Sequence, residues 1–263
     1  MKICTFNVNS IKVRTDLIID WIAHRNHDTD ILCFQEIKTI TEGFPFDAYE
    51  KRGFTCAAFG QKTYNGVAIC SRYPLKNVAN GFSDAAWDQQ KRIIAARIGE
   101  IDIINLYAPH GGMRGDEKFT YKIKWYEKLI SFLQHHYSPQ DLLIVTGDMN
   151  VAREDRDVYD PESLKDSIGT MPEERKALEG LMNWGLIDVF RYLHPEIKQF
   201  TWWDYIGGAV WRNEGMRIDY VLCTEPLLKK VKGIEVDLWP RKRRAPKPSD
   251  HAPLIASFDL PLE

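Results

Sequence analysis

The sequence lacks an apolar run long enough to cross a membrane, and polar residues interrupt the N-terminal stretch MKICTFNVN too early for the apolar region of a signal peptide. It also lacks a C-x-x-C pair, because its five cysteines, Cys4, Cys33, Cys56, Cys70 and Cys223, lie far apart. Three of them fall inside apolar, strand-like runs. We therefore expect buried, reduced thiols and a cytoplasmic location.

A strong excess of charge of either sign is absent as well. The formal net charge of -2 over 263 residues gives no global attraction to nucleic acid, so any such contact must come from local patches. The chain is 44% hydrophobic and 27% charged, which is ordinary for a globular protein with a sizeable core. No linker-like or low-complexity segment divides it, so we expect one domain spanning residues 1–263.

Residues 142–150, LLIVTGDMN, combine a run of apolar β-formers with a carboxylate and a carboxamide. They predict a buried strand over residues 142–145 that Thr146 and Gly147 end, with Asp148 and Asn150 at its tip. Gly-Asp-x-Asn is also ordinary turn chemistry. The same arrangement recurs along the chain, which favours a functional role for the pair.

Hydrophobic periodicity predicts more strands than helices. Helices are expected over residues 13–25, 119–136 and 172–184. Further strands are expected over residues 2–9, 30–38, 54–59, 66–71, 93–98, 101–106, 199–205, 216–224 and 254–260. Several strands are close enough for hairpins, so we predict an α/β sandwich of two packed, mostly antiparallel sheets with helices outside.

Polar residues stand at the ends of these apolar strands or inside them: Asn7, Glu36, Tyr107, Asp148, Asn150, Asp219, Asp250 and His251. Each carries a desolvation cost unless something pairs it. Oxygen ligands without a Cys/His cluster suit Mg²⁺ or Mn²⁺ rather than zinc, and neutral donors stabilise charge on a phosphodiester. Taken singly, each also has an ordinary role, such as a strand-end cap, a structural ion pair or a core side chain.

The motifs FNVNS, LCFQEIK, LYAPHG, GDMNV, TWWDY, GMRIDYVL and PSDHAPL occur in the order and spacing of the exonuclease III family. From Lys2 to Leu260, the chain resembles the apurinic/apyrimidinic (AP) endonucleases of that family. The resemblance implies a four-layered sandwich like that of deoxyribonuclease I and dependence on Mg²⁺, with Mn²⁺ as a substitute. It also implies a monomer that acts in base excision repair on double-stranded DNA, at abasic sites and 3′ ends, with no membrane partner.

The resemblance also implies roles for individual residues. The implied metal site comprises Glu36 as principal ligand together with Asn7, Asp148, Asn150, Asp250 and His251. Asp148 would orient or deprotonate the attacking water, Asn150 and Tyr107 would hold the scissile phosphate, and Asp219 would fix the tautomer of His251. The base that takes the water proton, Asp148 or His251, stays open, as does the number of metal ions.

The pocket for the abasic sugar would be formed by Trp202, Met216 and Ile218. Relatives carry Trp where Met216 stands, which leaves lesion selectivity open. Basic residues 241–247 precede Asp250, and further candidate DNA contacts are Lys91, Arg92, Arg114, Lys118 and Lys122, although such runs are also typical of solvated loops. Ile206 and Arg114 are candidates for wedging into the duplex. Two rival functions are a phosphoinositide or sphingolipid phosphodiesterase on the same fold and a catalytically silent DNA-binding module.

Overall fold

The computed structural model describes residues 1–25 and 28–262. Within them, the strands are β1 (Lys2–Asn7), β2 (Ile31–Gln35), β3 (Thr55–Phe59), β4 (Val67–Ser71), β5 (Lys76–Asn80), β6 (Ile93–Ile98), β7 (Ile101–Tyr107), β8 (Leu143–Asp148), β9 (Leu186–Asp188), β10 (Asp219–Thr224), β11 (Val231–Val236) and β12 (Leu254–Phe258). The α-helices are α1 (Ile11–His24), α2 (Phe46–Glu50), α3 (Glu117–His136), α4 (Pro172–Trp184), α5 (Val189–Leu193), α6 (Ala209–Arg212) and α7 (Glu225–Leu228).

The strands form two six-stranded sheets, ordered β11-β12-β1-β2-β4-β3 and β5-β6-β7-β8-β10-β9. Each sheet contains one parallel pair, β1–β2 in the first and β7–β8 in the second, and its other described pairs are antiparallel. Each parallel pair is joined through a helix, α1 or α3, because parallel neighbours need a crossover connection. The predicted two-sheet sandwich with outer helices is confirmed.

Three clusters of buried apolar side chains fill the spaces between the layers of the sandwich. The central one draws side chains from both sheets, among them Ile31 and Val67 from the first and Ile103 and Ile144 from the second. One outer cluster lies between the second sheet and helices α3 and α4, and the other lies between the first sheet and α1. The apolar stripe of each long helix thus covers the outer face of a sheet, which gives the four-layered order expected for a deoxyribonuclease I-like fold.

Thr146 and Gly147 do not end the strand that precedes Asp148, so that part of the prediction was wrong. Strand β8 continues through both residues to Asp148 and pairs with β7 and β10. Gly147 has φ 138°, and a Cβ atom there would lie 1.9 Å from the carbonyl oxygen of Leu106. The glycine is required because two backbones approach closely, and this approach carries Asp148 beside Tyr107.

The aromatic segment 199–205 is not a strand, contrary to prediction. Trp202 instead makes isolated bridges to two different loop segments, at Met216 and at His251. Its backbone N–H donates to the carbonyl of Met216 and its own carbonyl accepts from the Met216 N–H, both at 2.9 Å. Strand β10 accordingly starts only at Asp219, later than the predicted residue 216. Strands β5, β9 and β11 were not predicted.

The cysteines are not all reduced thiols. Cys56 and Cys70 stand directly opposite each other in antiparallel strands β3 and β4, with Cα atoms 4.0 Å apart, and form a disulfide. The prediction was therefore wrong for this pair, because the register of the hairpin was not visible in the sequence. Cys4, Cys33 and Cys223 are buried free thiols, as expected. No helix among the described residues is long and apolar enough to cross a membrane.

Candidate active site

The two parallel strand pairs bring their polar ends to the same edge of the sandwich. Asn7 ends β1, beside the end of β2, which Glu36 follows directly. In the second sheet, Tyr107 pairs with Asp148 at the ends of β7 and β8, and Asp219 pairs with Asp148 from the other side. Residues far apart in the chain therefore meet where the carboxyl ends of parallel strands from both sheets adjoin.

Asn7 joins the two sheets at this edge. Its amide nitrogen donates to Glu36 Oε1 and to Asp148 Oδ2, both at 2.8 Å, and its Oδ1 accepts from the Asn9 N–H at 3.0 Å. Asn7 is fully buried, so these bonds fix the separation of the two carboxylates. In this arrangement the amide nitrogen of Asn7 faces both carboxylates and holds them in place, and its role at a metal site stays a prediction.

Asp219 and His251 form a buried hydrogen-bonded pair. His251 Nδ1 lies 2.8 Å from Asp219 Oδ2, which leaves Nε2 directed toward Asp148 Oδ2 at 3.8 Å. Burial lowers the pKa of His251, but the charge and hydrogen bond of Asp219 outweigh it and raise that pKa to about 10. Burial, with a contribution from Asp219, raises the pKa of Asp148 to about 7, against the opposing effect of His251.

Asn150 and Tyr107 are held by the backbone around them. Asn150 has φ 53°; its N–H donates to Asp148 Oδ1 at 2.8 Å and its Nδ2 donates to the carbonyl of Ala108 at 2.9 Å. The Arg92 guanidinium lies 4.8 Å from the centre of the Tyr107 ring and donates to the Tyr107 carbonyl at 3.1 Å. Burial raises the pKa of the Tyr107 phenol well above its usual value, with Glu36 and Asp148 adding to the effect.

Asp250 is fastened by two neighbours. Asn9 Nδ2 donates to its Oδ1 at 3.0 Å, and the indole N–H of Trp202 donates to its Oδ2 at 3.1 Å. Burial acts to raise the pKa of Asp250, but the charge of His251 and these hydrogen bonds outweigh it, so the pKa is lowered. The same indole that forms a wall of the site therefore also orients one of its carboxylates.

A cavity of about 230 Å³, called here the catalytic cavity, lies at this edge. Of the residues expected from sequence, it is lined by Glu36, Tyr107, Asp148, Asn150, Trp202, Met216, Ile218, Asp250 and His251. It is also lined by His110, Ile168 and Gly169, which were not predicted. His110 belongs to the LYAPHG motif and could have been found there, whereas residues 168 and 169 follow an aperiodic loop that offered no signal.

The donor set fits a hard divalent cation. One ligand atom each from Glu36, Asp148 and His251 lies within 4.8 Å of the others. Among the described residues, this is the cluster of at least three His, Cys, Asp or Glu side chains that could hold a metal ion. Two of the three are carboxylates and no cysteine is present, which suits Mg²⁺ or Mn²⁺ better than zinc. Glu36 Oε2 also contacts Lys38 Nζ at 2.8 Å, and this salt bridge restrains the position of the carboxylate.

Comparison with known proteins identifies the family of this chain. The model of the endonuclease/exonuclease/phosphatase family matches residues 4–251. Exodeoxyribonuclease III of Haemophilus influenzae is 34% identical over 98% of this chain and 100% of its own length. The chain belongs to the exonuclease III family. Members of this family are hydrolases of the nuclease class, so a catalytically silent binding module is set aside.

Two solved structures of the exonuclease III family superpose closely. An AP endonuclease from Archaeoglobus fulgidus has a TM-score of 0.94 and 38% identity, covering 99% of this chain and 100% of the other. A 3′-5′ exonuclease from Neisseria meningitidis has a TM-score of 0.92 and 38% identity over the same shares. The whole sandwich is therefore common to proteins that are described as an AP endonuclease and as a 3′-5′ exonuclease.

Lys122 is not a surface cation of this exonuclease III-family chain, which corrects the expectation that it could contact DNA. It is fully buried on α3 and pairs with Glu174 of α4 at 2.6 Å. Its ammonium also donates to the carbonyls of Asn150 at 2.8 Å and His110 at 3.1 Å. Glu174 Oε2 in turn accepts from the Gly169 N–H at 2.6 Å. One ion pair thus fastens three backbone segments that line the catalytic cavity.

We expect Lys122→Met to lower the free energy of unfolding by about 3–5 kcal/mol, because Glu174 is left as a buried carboxylate without its partner. Burial already lowers the pKa of Lys122, with Glu174 opposing that effect. Urea unfolding measures the change, and Lys124→Met, at an exposed lysine of the same helix, is the control. Equal unfolding free energies for the two variants would contradict the structural role of the pair.

The remaining predicted DNA contacts lie outside the catalytic cavity. Lys91 Nζ lies 4.3 Å from the centre of the Phe59 ring, and the Arg92 guanidinium lies against the Tyr107 ring. Arg114 makes exposed salt bridges to Asp166 and Glu173, both at 2.7 Å. Ile206 is 79% exposed. Their roles in binding DNA stay predictions.

Proposed function

We propose that this chain is a Mg²⁺-dependent DNA-repair nuclease that hydrolyses the phosphodiester 5′ to abasic sites in duplex DNA. The proposal rests mainly on one observation. Ligand atoms of Glu36, Asp148 and His251 lie within 4.8 Å of one another, at a cavity that is also lined by Trp202 and Met216. Similarity to an AP endonuclease and to a 3′-5′ exonuclease supports both this incision and the trimming of 3′ ends. The trimming of 3′ ends comprises exonuclease and 3′-phosphatase reactions, which we also assign to base excision repair.

Each residue of the site has a separable task in this proposal. Asp148 holds the attacking water, since one of its oxygens is fixed by the Asn150 N–H and the other lies 3.8 Å from His251 Nε2. Asn150, Tyr107 and His251 donate to phosphate oxygens as negative charge develops there. Glu36, with Asp148 and Asp250 nearby, would hold Mg²⁺, or Mn²⁺ in its place. That ion supplies charge neutralisation and activation at the phosphate.

The apolar wall of the catalytic cavity supports an abasic sugar as ligand. Trp202, Met216 and Ile218 line the cavity together with the acids and His251. A deoxyribose without its base exposes carbon-bound hydrogens that pack favourably against such a surface. A phosphoinositide, the rival substrate class, presents a ring of hydroxyl groups that this wall would leave without hydrogen-bond partners.

A duplex carrying one tetrahydrofuran abasic analogue tests the proposal. With Mg²⁺, we expect cleavage 5′ of the analogue that leaves a 3′-hydroxyl, and chelator should abolish it. A ladder from undamaged 3′ ends measures the exonuclease share, and release of inorganic phosphate from a 3′-phosphate end measures the phosphatase share. Absence of incision, or faster hydrolysis of an inositol phosphate than of the abasic duplex, would refute the proposal.

We further propose that Ile206 and Arg114 wedge into the duplex beside the lesion, with Lys91 and Arg92 on the DNA-facing side. Ile206 is the most exposed large apolar side chain among the described residues, and wedging apolar groups kink DNA. The double variant Ile206→Ala, Arg114→Ala should raise the Kd for abasic duplex roughly tenfold. Fluorescence anisotropy measures it, with Ile197→Ala as a control at another exposed isoleucine. Unchanged affinity in the double variant would remove the wedge from the proposal.

We also propose that the protein acts as a monomer, as one domain spanning residues 1–263, in the cytoplasm. Asn7, Glu36, Tyr107, Asp148 and His251 all come from one chain, which supports a site complete within a monomer. Size-exclusion chromatography with light scattering would test the oligomeric state.

A further inference from the structure

An exposed surface that combines aromatic rings with cations lies outside the catalytic cavity. The loop of residues 239–247, WPRKRRAPK, carries five cations and no carboxylate, although the chain as a whole has a net charge of -2. This basic loop contacts α6 and the segment that precedes α6. We define the aromatic–basic surface by four side chains that do not line the catalytic cavity: Tyr205, Trp211, Lys242 and Lys247.

Trp211 is the first aromatic side chain of this surface. All eight tryptophans belong to the described part of the chain, and only Trp211 is exposed, at 64%. A single exposed apolar side chain needs no functional explanation. Trp211 is not isolated, however, because Lys242 Nζ lies 5.6 Å from the centre of its ring. The indole and the ammonium group therefore form one binding element at the surface.

Tyr205 forms a second pair of an aromatic ring with cations. Lys247 Nζ lies 5.2 Å from the centre of its ring, and the Arg241 guanidinium lies at 5.4 Å. The Tyr205 hydroxyl donates to the Pro248 carbonyl at 2.9 Å, and Arg241 donates to the Trp203 carbonyl at 3.0 Å. These bonds hold the basic loop against the aromatic segment, so rings and cations are arranged before a ligand binds.

The cations of the basic loop are available to an anionic ligand. Residues 242–247 are exposed, and within the described part of the chain the one salt bridge of this loop joins Arg243 to Asp20, at 3.8 Å. Two carboxylates near α6 have partners of their own. Glu214 pairs with Arg212 at 2.5 Å, and Asp204 accepts from a backbone N–H at 2.9 Å. The five cations outnumber these two carboxylates, so the local charge is positive.

The aromatic–basic surface begins close to the catalytic cavity. Lys247 precedes Asp250 by three residues, and Tyr205 follows Trp202 by three, so the two Cα atoms of each pair are at most about 11 Å apart. Asp250 and Trp202 both line the catalytic cavity. A DNA strand that is bound at the catalytic cavity can therefore reach the aromatic–basic surface within a few nucleotides.

The chemistry of this surface suits an unpaired nucleic-acid strand. Each nucleotide of such a strand offers a phosphate to the cations and an unstacked base to the aromatic rings. A duplex offers its phosphates but keeps its bases paired and stacked, which leaves the indole without a base to stack on. An acidic peptide offers negative charge without a flat ring at every unit of the chain.

We propose that the aromatic–basic surface binds single-stranded DNA. This inference goes beyond the proposed function, because it concerns a ligand that is held outside the catalytic cavity and needs neither metal nor cleavage to bind. It would allow the protein to hold DNA at ends and gaps, where unpaired nucleotides adjoin a duplex.

Fluorescence anisotropy with a labelled oligothymidylate of about 12 nucleotides, in the presence of chelator, tests the inference. Trp211→Ala should raise the Kd about 5- to 100-fold, the range for losing one stacked base. Trp211→Phe keeps an aromatic ring and should stay within about threefold. The Kd of Trp211→Ala for a fully paired abasic duplex should change by less than about twofold. Tyr192→Ala, at a tyrosine of α5 that is 57% exposed, is the control.

The salt dependence of binding tests the lysines separately. Each phosphate contact with a single strand contributes about 0.7 to the slope of log K against log salt concentration. Lys242→Ala, Lys247→Ala should therefore reduce that slope by about 1.4, whereas Trp211→Ala should leave it unchanged. Lys229→Ala, Lys230→Ala is the matched control, because these exposed lysines adjoin the end of β12 that is remote from the catalytic cavity.

Three outcomes would overturn the inference. Oligothymidylate that does not bind, or that binds all variants equally, would show that the surface is not a site for it. Equal losses of affinity for oligothymidylate and for fully paired duplex would mean that the surface contacts DNA in general. Displacement by polyglutamate as effective as that by unlabelled oligothymidylate would mean that it recognises acidic chains. Trp211-dependent binding by a protein that fails to incise the abasic duplex would support this inference and refute the proposed function.

Discussion

Asp148→Asn is expected to lower the rate of abasic-site incision by at least about 100- to 1000-fold, the usual cost of losing one preorganised transition-state contact. Asp148 lies at the centre of the site, where Asn7 and the Asn150 N–H each donate to it at 2.8 Å. The replacement keeps the shape of the side chain and one acceptor oxygen. It removes the negative charge with which Asp148 can orient or deprotonate a water molecule.

Single-turnover incision of the tetrahydrofuran duplex measures this loss, and circular dichroism with thermal unfolding checks that the variant is folded. Asp155→Asn is a suitable control, because Asp155 is an exposed carboxylate paired with Arg175 away from the catalytic cavity. His251→Ala should cause a loss of the same order, since it removes the donor that Asp219 holds in place. Near-normal incision by either purified variant would contradict the catalytic role that is assigned to that residue.

Glu36→Gln is expected to weaken Mg²⁺ binding by at least about 10- to 100-fold, the cost seen even for residues that only support a metal ligand. Glu36 supplies one of the three converging ligand atoms, and the substitution removes its charge while retaining its volume. Incision should therefore fall at low Mg²⁺ and recover in part as Mg²⁺ is raised. Recovery at high metal distinguishes this loss from that of Asp148→Asn, where added Mg²⁺ should not help.

Isothermal titration with Mg²⁺ provides a readout that does not depend on catalysis. Glu42→Gln, an exposed glutamate in the same loop, is the matched control and should bind Mg²⁺ as the unaltered protein does. Excess chelator should abolish incision by the unaltered protein. An unchanged Mg²⁺ affinity in Glu36→Gln would show that the principal ligand lies elsewhere.

The polar residues at the ends of the buried strands were predictable because the local sequence pattern indicates them. A polar residue at the end of an apolar run is visible in one stretch of sequence, and Asn7, Glu36, Tyr107 and Asp148 were found in that way. The helix over residues 172–184 also has the predicted bounds, since Pro172 and the acids after it mark a helix start. The two-sheet architecture followed from the number and spacing of such runs.

Features that depend on register were not predictable in the same way. Cys56 and Cys70 form a disulfide because two strands pair in one register, and Trp202 is fixed between two loops instead of lying in a strand. Lys122 belongs to a helix whose other lysines are largely exposed, and only the packing of α3 against α4 buries it beside Glu174. Side chains that meet across long sequence separations leave no periodic signal.

The sequence by itself determined most of the groups that line the site, because their chemical types and the apolar strands that precede them are local properties of the chain. The tertiary structure decided how those groups are used. The parallel pairs β1–β2 and β7–β8 place Glu36 and Asp148 in reach of one buried amide, that of Asn7. The shape of the space around the phosphate, including the wall of Ile168, Trp202 and Met216, arises only when distant loops pack together.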